Sequence, residues 1–144
     1  MITGVRHTGI VVSDIEPAIK FWVDLLGFKI QSDQLEEGDF IDSLLGLKNV
    51  SVRTVKLSAE DGTLIELLHF NSHKSLSKWG GNAYKTGLTH IALNVQDINY
   101  LVSTLELNGY SQVNKFQRSP NGKVKVCYLN GFEGLLIELV ETLS

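Results

Sequence analysis

His7-Thr-Gly-Ile-Val-Val-Ser-Asp-Ile15 and His90-Ile-Ala-Leu-Asn-Val-Gln-Asp-Ile98 are one phrase written twice. Each opens on His, runs through a strand-like apolar stretch, and reaches Asp seven residues later, then Ile. A helical pattern follows each phrase and stops at a glycine with an aromatic behind it, Gly27-Phe28 and Gly109-Tyr110. Each half closes on a second shared phrase, Asp61-Gly-Thr-Leu-Ile-Glu-Leu67 and Glu133-Gly-Leu-Leu-Ile-Glu-Leu139. Several matches in the same order in both halves mark an internal repeat.

The elements follow from that frame. Residues 5–12 read as a strand. Ser13-Asp-Ile-Glu16 has the form of a capping box, with Ser13 as cap, Glu16 reaching back and Pro17 in the first turn. Ile15, Ala18, Ile19, Trp22, Leu25 and Leu26 mark one helical face, and Gly27 ends the helix. Residues 28–32, 50–58 and 63–70 are strand-like, the last two joined by Asp61-Gly62. In the second half, strand 88–95 leads to a helix starting near Asp97, with Ile98, Leu101, Val102 and Leu105 on one face. Strands 110–116, 123–129 and 135–140 follow, with turns at Pro120-Asn-Gly122 and Asn130-Gly131. The fold class is therefore α+β, two βαβββ modules: 1–70 and 88–144, with a polar, glycine-bearing linker at 71–87. Residues 33–49 read as irregular, with a short helix or flap as the alternative.

Composition narrows the function. With 144 residues, 43% hydrophobic and 20% charged, the chain can build a core. The net charge of -3 leaves no basic surplus for nucleic acid. The single Cys127 excludes an internal disulfide and a Cys-rich zinc site, and reads as a buried packing residue. No apolar run approaches the length of a membrane span, and the opening stretch lacks the pattern of a secretory leader. A cytoplasmic protein acting on a small molecule is the expectation.

Four residues interrupt the apolar strands. His7 and His90 open the first strand of each half, and Glu66 and Glu138 lie in the last, flanked by Leu and Ile. A strand His or Glu alone most often faces solvent or is satisfied locally. These four are placed in register by the repeat, and a buried carboxylate must be paired, protonated or metal-bound. Imidazole with carboxylate suits a divalent ion such as Zn, Ni, Co, Mn or Fe. His69 and His73 form a weaker pair. Arg53 and Lys56 are candidates for holding an anionic substrate group. Trp79 stands out in the linker, and Lys115, Arg118, Lys123 and Lys125 read as a solvated face.

The paired His strands, the two D/E-G-x-x-I-E-L phrases and the two βαβββ halves resemble the vicinal oxygen chelate superfamily, the glyoxalase, bleomycin-resistance and extradiol-dioxygenase group. The pattern is most similar to glyoxalase I and methylmalonyl-CoA epimerase. The resemblance implies that the modules curl into a cup-shaped, partly closed mixed β-sheet with flanking helices. It implies one divalent metal ion held by His7, Glu66, His90 and Glu138, and a homodimer. It also implies a lyase or isomerase that abstracts a proton next to a carbonyl and stabilises the enolate on the metal. Glu138 is then the base that also ligates, and Glu66 a ligand or second base. A non-catalytic binder of small molecules and an extradiol-type dioxygenase are the alternatives, because one scaffold hosts many reactions.

Overall fold

The computed structural model describes residues 1–75, 77–80 and 82–144; Leu76 and Gly81, inside the expected linker, lie outside the described residues. The chain divides into two compact units, Met1–Leu76 and Ser77–Ser144, with the boundary inside that linker. Both are α+β, as the repeat predicts.

In the first unit, strands β1 (Thr8–Val11), β2 (Lys29–Glu37), β3 (Ser51–Ser58) and β4 (Leu64–Phe70) form a sheet in the order β1-β4-β3-β2. β1 pairs with β4 in parallel, and the other pairs are antiparallel. The mixed sheet follows from connection length: β3 returns to β4 through the Asp61-Gly62 turn, whereas β1 reaches β4 only after the helix and two strands.

Helix α1 (Ile15–Ile19) widens into a π-helix over Lys20–Leu25, where the Leu26 N–H donates to the Phe21 carbonyl five residues back. Its buried residues are Ile15, Ala18, Phe21 and Trp22. Phe21 therefore joins the core, while Leu25 and Leu26 of the expected face stay half-buried. Trp22 meets Phe21 and Phe28 edge-on, with centroids 5.7 and 5.1 Å apart. Gly27 ends the helix at φ 80°, a conformation that glycine adopts without a Cβ penalty. The N-cap lies one residue later than the expected Ser13. Asp14 is the N-cap, without a side-chain cap bond, and Glu16 turns outward to Arg53 Nη1 at 2.7 Å. That ion pair ties α1 to the sheet.

Residues 33–49 are more regular than their composition suggests. β2 runs on to Glu37, and helix α2 (Asp39–Leu45) follows. Cross-strand bonds hold the polar end of β2, Arg53 to Asp33 and Thr54 Oγ1 to Glu36 Oε2 at 3.1 Å. The Asp42 carboxylate accepts from the Asn49 and Val50 N–H groups at 2.9 and 2.8 Å, closing the loop after α2. Ile41 of α2 packs in a small cluster with Val50, Val52, Leu68 and Phe70.

The second unit repeats the plan with β5 (Ile91–Asn94), α3 (Ile98–Leu107), β6 (Ser111–Gln112), β7 (Gln117–Arg118), β8 (Val124–Asn130) and β9 (Leu136–Thr142). The order is β5-β9-β8-β6, with β7 also on β8. β5 and β9 are parallel. Of the expected strand 110–116 only Ser111–Gln112 is formed, as β6, and β7 lies just beyond it. Asp97 caps α3, accepting from the Tyr100 N–H at 2.9 Å. Ile98, Val102 and Leu105 are buried on the helix, and Cys127, Leu129, Ile137 and Leu139 on the sheet. Among the described residues no helix is long and apolar enough to cross a membrane.

Candidate functional site

Strand register decides which side chains meet. In β4, Ile65 and Leu67 are buried, and Arg53 of the same sheet face reaches Glu16 of α1; that face carries the helix. The alternate residues face the other way. There, Gly9, Glu66 and Lys56 stand in one row, since Gly9 pairs with Glu66 and Lys56 with Glu66. Ser32 extends the row opposite Lys56. His7 lies two residues before Gly9, just ahead of β1. In the second unit the corresponding row is Ala92, Glu138 and Tyr128. Both rows place the smallest side chains of the strand, Gly9 and Ala92, beside the glutamate.

The four residues singled out by the repeat come together two by two. In the first unit His7 Nε2 lies 3.6 Å from Glu66 Oε1, and Lys56 Nζ lies 3.7 Å from Glu66 Oε2. In the second, His90 Nε2 lies 3.2 Å from Glu138 Oε2. Tyr128 stands against both, its hydroxyl 3.3 Å from His90 Nε2 and donating to Glu138 Oε2 at 3.4 Å. The Glu66 and Glu138 side chains are only 14% and 25% exposed, so each needs a counter-charge or donors. Among the described residues no three His, Cys, Asp or Glu side chains gather as a metal-holding group.

Each pair has the donor set of two ligands on one ion, and the His90–Glu138 pair at 3.2 Å also has the spacing, whereas His7–Glu66 at 3.6 Å is slightly wider. Nitrogen and oxygen bound at about 2.1 Å to one divalent ion lie roughly 3–3.5 Å apart. His90 is further prepared. Its Nδ1 meets Thr89 Oγ1 at 2.8 Å, and with Nδ1–H donated there the Nε2 lone pair faces Glu138. A lone pair and a carboxylate at 3.2 Å repel unless a proton or a cation stands between them. The His7 Nδ1 is buried and, among the described residues, has no hydrogen-bond partner. The first imidazole is thus held less firmly than the second.

Tyr128 did not stand out in the sequence. It has the same offset from its glutamate as Lys56, ten residues ahead of it in the sequence. Reading both halves at that offset finds it. Burial, followed by the Glu138 charge and the hydrogen bond to it, pushes the Tyr128 phenol above its ordinary range, so it remains a neutral donor.

The other candidates separate. Arg53 is on the helix face, held by Asp33 (2.9 and 2.7 Å) and Glu16 (2.7 Å), so it does not share an anion with Lys56. His73 bonds Ser72 Oγ at 2.8 Å and stacks edge-on with Phe70, whereas His69 stands opposite Arg53. Lys125 donates to Asn99 Oδ1 at 2.6 Å and lies over the Phe116 ring. It is the repeat counterpart of Arg53, linking sheet to helix in the second unit. Trp79 is 47% exposed. Cys127 is buried, as expected, and burial raises its thiol to about 11.

Comparison with known proteins agrees with the fold. Residues 6–128 match the family model described as the glyoxalase/bleomycin resistance protein/dioxygenase superfamily. The chain is 26% identical over 141 residues to a probable lactoylglutathione lyase of Synechocystis, covering 96% of this chain and 95% of the relative. It is 24% identical over 143 residues to a lactoylglutathione lyase of Haemophilus influenzae, covering 97% and 93%. Among solved structures, a glyoxalase family protein from Bacillus cereus is similar at TM-score 0.93 and 26% identity, over 100% of this chain and 97% of the other.

Proposed function

The chain belongs to the glyoxalase/bleomycin resistance protein/dioxygenase superfamily, and from this we propose that it is a metal-dependent lyase or isomerase acting on a small carbonyl compound. The observation that carries the reading is the His90–Glu138–Tyr128 cluster, a half-buried carboxylate facing an oriented imidazole and a neutral phenol. The lactoylglutathione lyase relatives support the same class of reaction.

His7 with Glu66, and His90 with Glu138, serve as two-donor half-sites for a divalent ion. Bound there, the ion would polarise the substrate carbonyl and stabilise the negative charge left by proton removal. Glu138 is the base. Its contacts with His90 and Tyr128 both fall on Oε2, leaving Oε1 to take the proton from carbon and return it. Tyr128 keeps Glu138 oriented through its donated hydrogen bond. Glu66 is ligand rather than first base, because both of its oxygens are engaged, Oε1 facing His7 and Oε2 facing Lys56.

Elemental analysis of untagged protein tests this, together with Glu66→Gln and Glu138→Gln. The expected result is about one equivalent of Ni, Co, Zn, Mn or Fe per chain, lost in both variants. Proton exchange into the methylglyoxal–glutathione hemithioacetal or an acyl-CoA substrate should vanish with it. Absence of metal after incubation with each ion overturns the reading.

A further inference from the structure

Beside the His7–Glu66 pair, the first unit carries a cleft of about 730 Å³. Lys29, Gln31, Lys56 and Ser58 line it on the strand side, and Ala59, Glu60, Gly62 and Leu64 at the hairpin. Two ammonium groups stand there against one carboxylate, that of Glu60.

The donors of this cleft keep hydrogen-bonding capacity, although Lys56 is also ion-paired with Glu66. Lys56 Nζ lies 3.7 Å from Glu66, beyond hydrogen-bond range, and makes no bond to another described residue, so its three N–H groups remain to donate. Ser58 Oγ accepts from Gln31 Nε2 at 2.6 Å, which leaves the Ser58 proton to donate elsewhere. Lys29 pairs with Ser58 across β2 and β3, on the face that carries Lys56 and Glu66. The β-bulge between Ile30 and Ser32 brings Gln31 into the same cleft. The second unit has no equivalent charge, because Tyr128 stands where Lys56 stands in the first.

We propose that Lys56, Lys29 and Ser58 form a subsite for an anionic oxyacid group, a phosphate or carboxylate, on the ligand whose other end reaches the His7–Glu66 pair. The position of that other end rests on the function proposed above; the subsite itself rests on the first unit alone. Lys56 links the two, since it touches Glu66 and lines the cleft. The ligand class is then a small carbonyl compound with an acidic tail. Arg53, three residues away, takes no part.

The test uses the full chain, ¹⁵N-labelled and kept metal-free with a chelator, titrated with inorganic phosphate and separately with acetate. Its outcome is therefore independent of whether the protein holds a metal. Saturable shifts should appear in residues 29–31 and 56–60 with at least one of the two anions. A response to phosphate assigns a phosphate group, and a response to acetate alone assigns a carboxylate. Lys56→Met and Lys29→Met should each weaken binding about tenfold, and Lys56→Arg should retain most of it. The dispersion of each variant's spectrum reports its folding. No saturable response to either anion, or unchanged binding in a folded Lys56→Met, overturns the proposal.

Discussion

Tyr128 stands directly opposite Glu138 across β8 and β9, and its hydroxyl donates to the carboxylate at 3.4 Å. Lys56 has the same relation to Glu66 across β3 and β4, at 3.7 Å. The two halves thus share a frame and differ in what faces the glutamate: a cation in one, a neutral hydroxyl in the other. In the function proposed above, that difference separates the ligand Glu66 from the base Glu138.

Tyr128→Phe removes only the hydroxyl. Metal content and thermal stability should stay close to those of the native protein. Proton exchange into substrate should slow by about 10- to 100-fold, because Glu138 loses the donor that orients it. Exchange kinetics followed by NMR check this, and an unchanged rate would remove Tyr128 from the site.

Thr89→Val deletes the partner of His90 Nδ1. The imidazole is then free to rotate and to change tautomer. Metal affinity should fall by roughly tenfold or more, while Thr89→Ser retains it. Competition with a chelating dye measures the difference.

Arg53→Ala breaks the link between α1, β2 and β3. Its partners are partly exposed, so the loss should be about 1 kcal/mol in urea unfolding, and smaller at about 1 M salt. The Arg53 hydrogen bond holds the Asp33 carboxyl below its ordinary range. Stability from this source is present above the usual aspartate pKa and is lost as pH falls through the lowered value. The acid limb of the native protein should therefore be steeper than that of the variant. Phosphate or acetate binding should be unchanged in Arg53→Ala, unlike Lys56→Met.

Burial raises the Cys127 thiol from 9.0 to about 11. Between those values the folded protein keeps the proton and the unfolded chain loses it. Stability should therefore fall as pH rises from about 9 to about 11, by on the order of 2–3 kcal/mol in total. Cys127→Ala should lack this component of the alkaline slope. Urea midpoints of both proteins across that range provide the check.

Much of the frame is legible in the residues. The repeat, the period-two strands and the glycine stops at 27 and 109 are local signals, and they locate strands and helices in both halves. Period two also separates Arg53 from Lys56: three residues apart in one strand, they face opposite sides of the sheet. Less legible is the end of β2. Asp33 to Glu37 has weak strand propensity, and it is pairing with β3 that draws it into the sheet. The Glu16–Arg53 ion pair is equally illegible locally, because it joins residues 37 apart.

What the chain determines by itself is which residues are unusual and that they come in matched sets: two histidines, two glutamates, two α+β halves. Hydrophobic period and turn chemistry act over a few residues, so they can be read without coordinates. Only the tertiary structure decides who faces whom. Lys56 meets Glu66, Tyr128 meets Glu138, and Arg53 is drawn to the helix side, because strand register joins residues ten or more apart and a bulge or a shift of one residue would send each side chain to the other face.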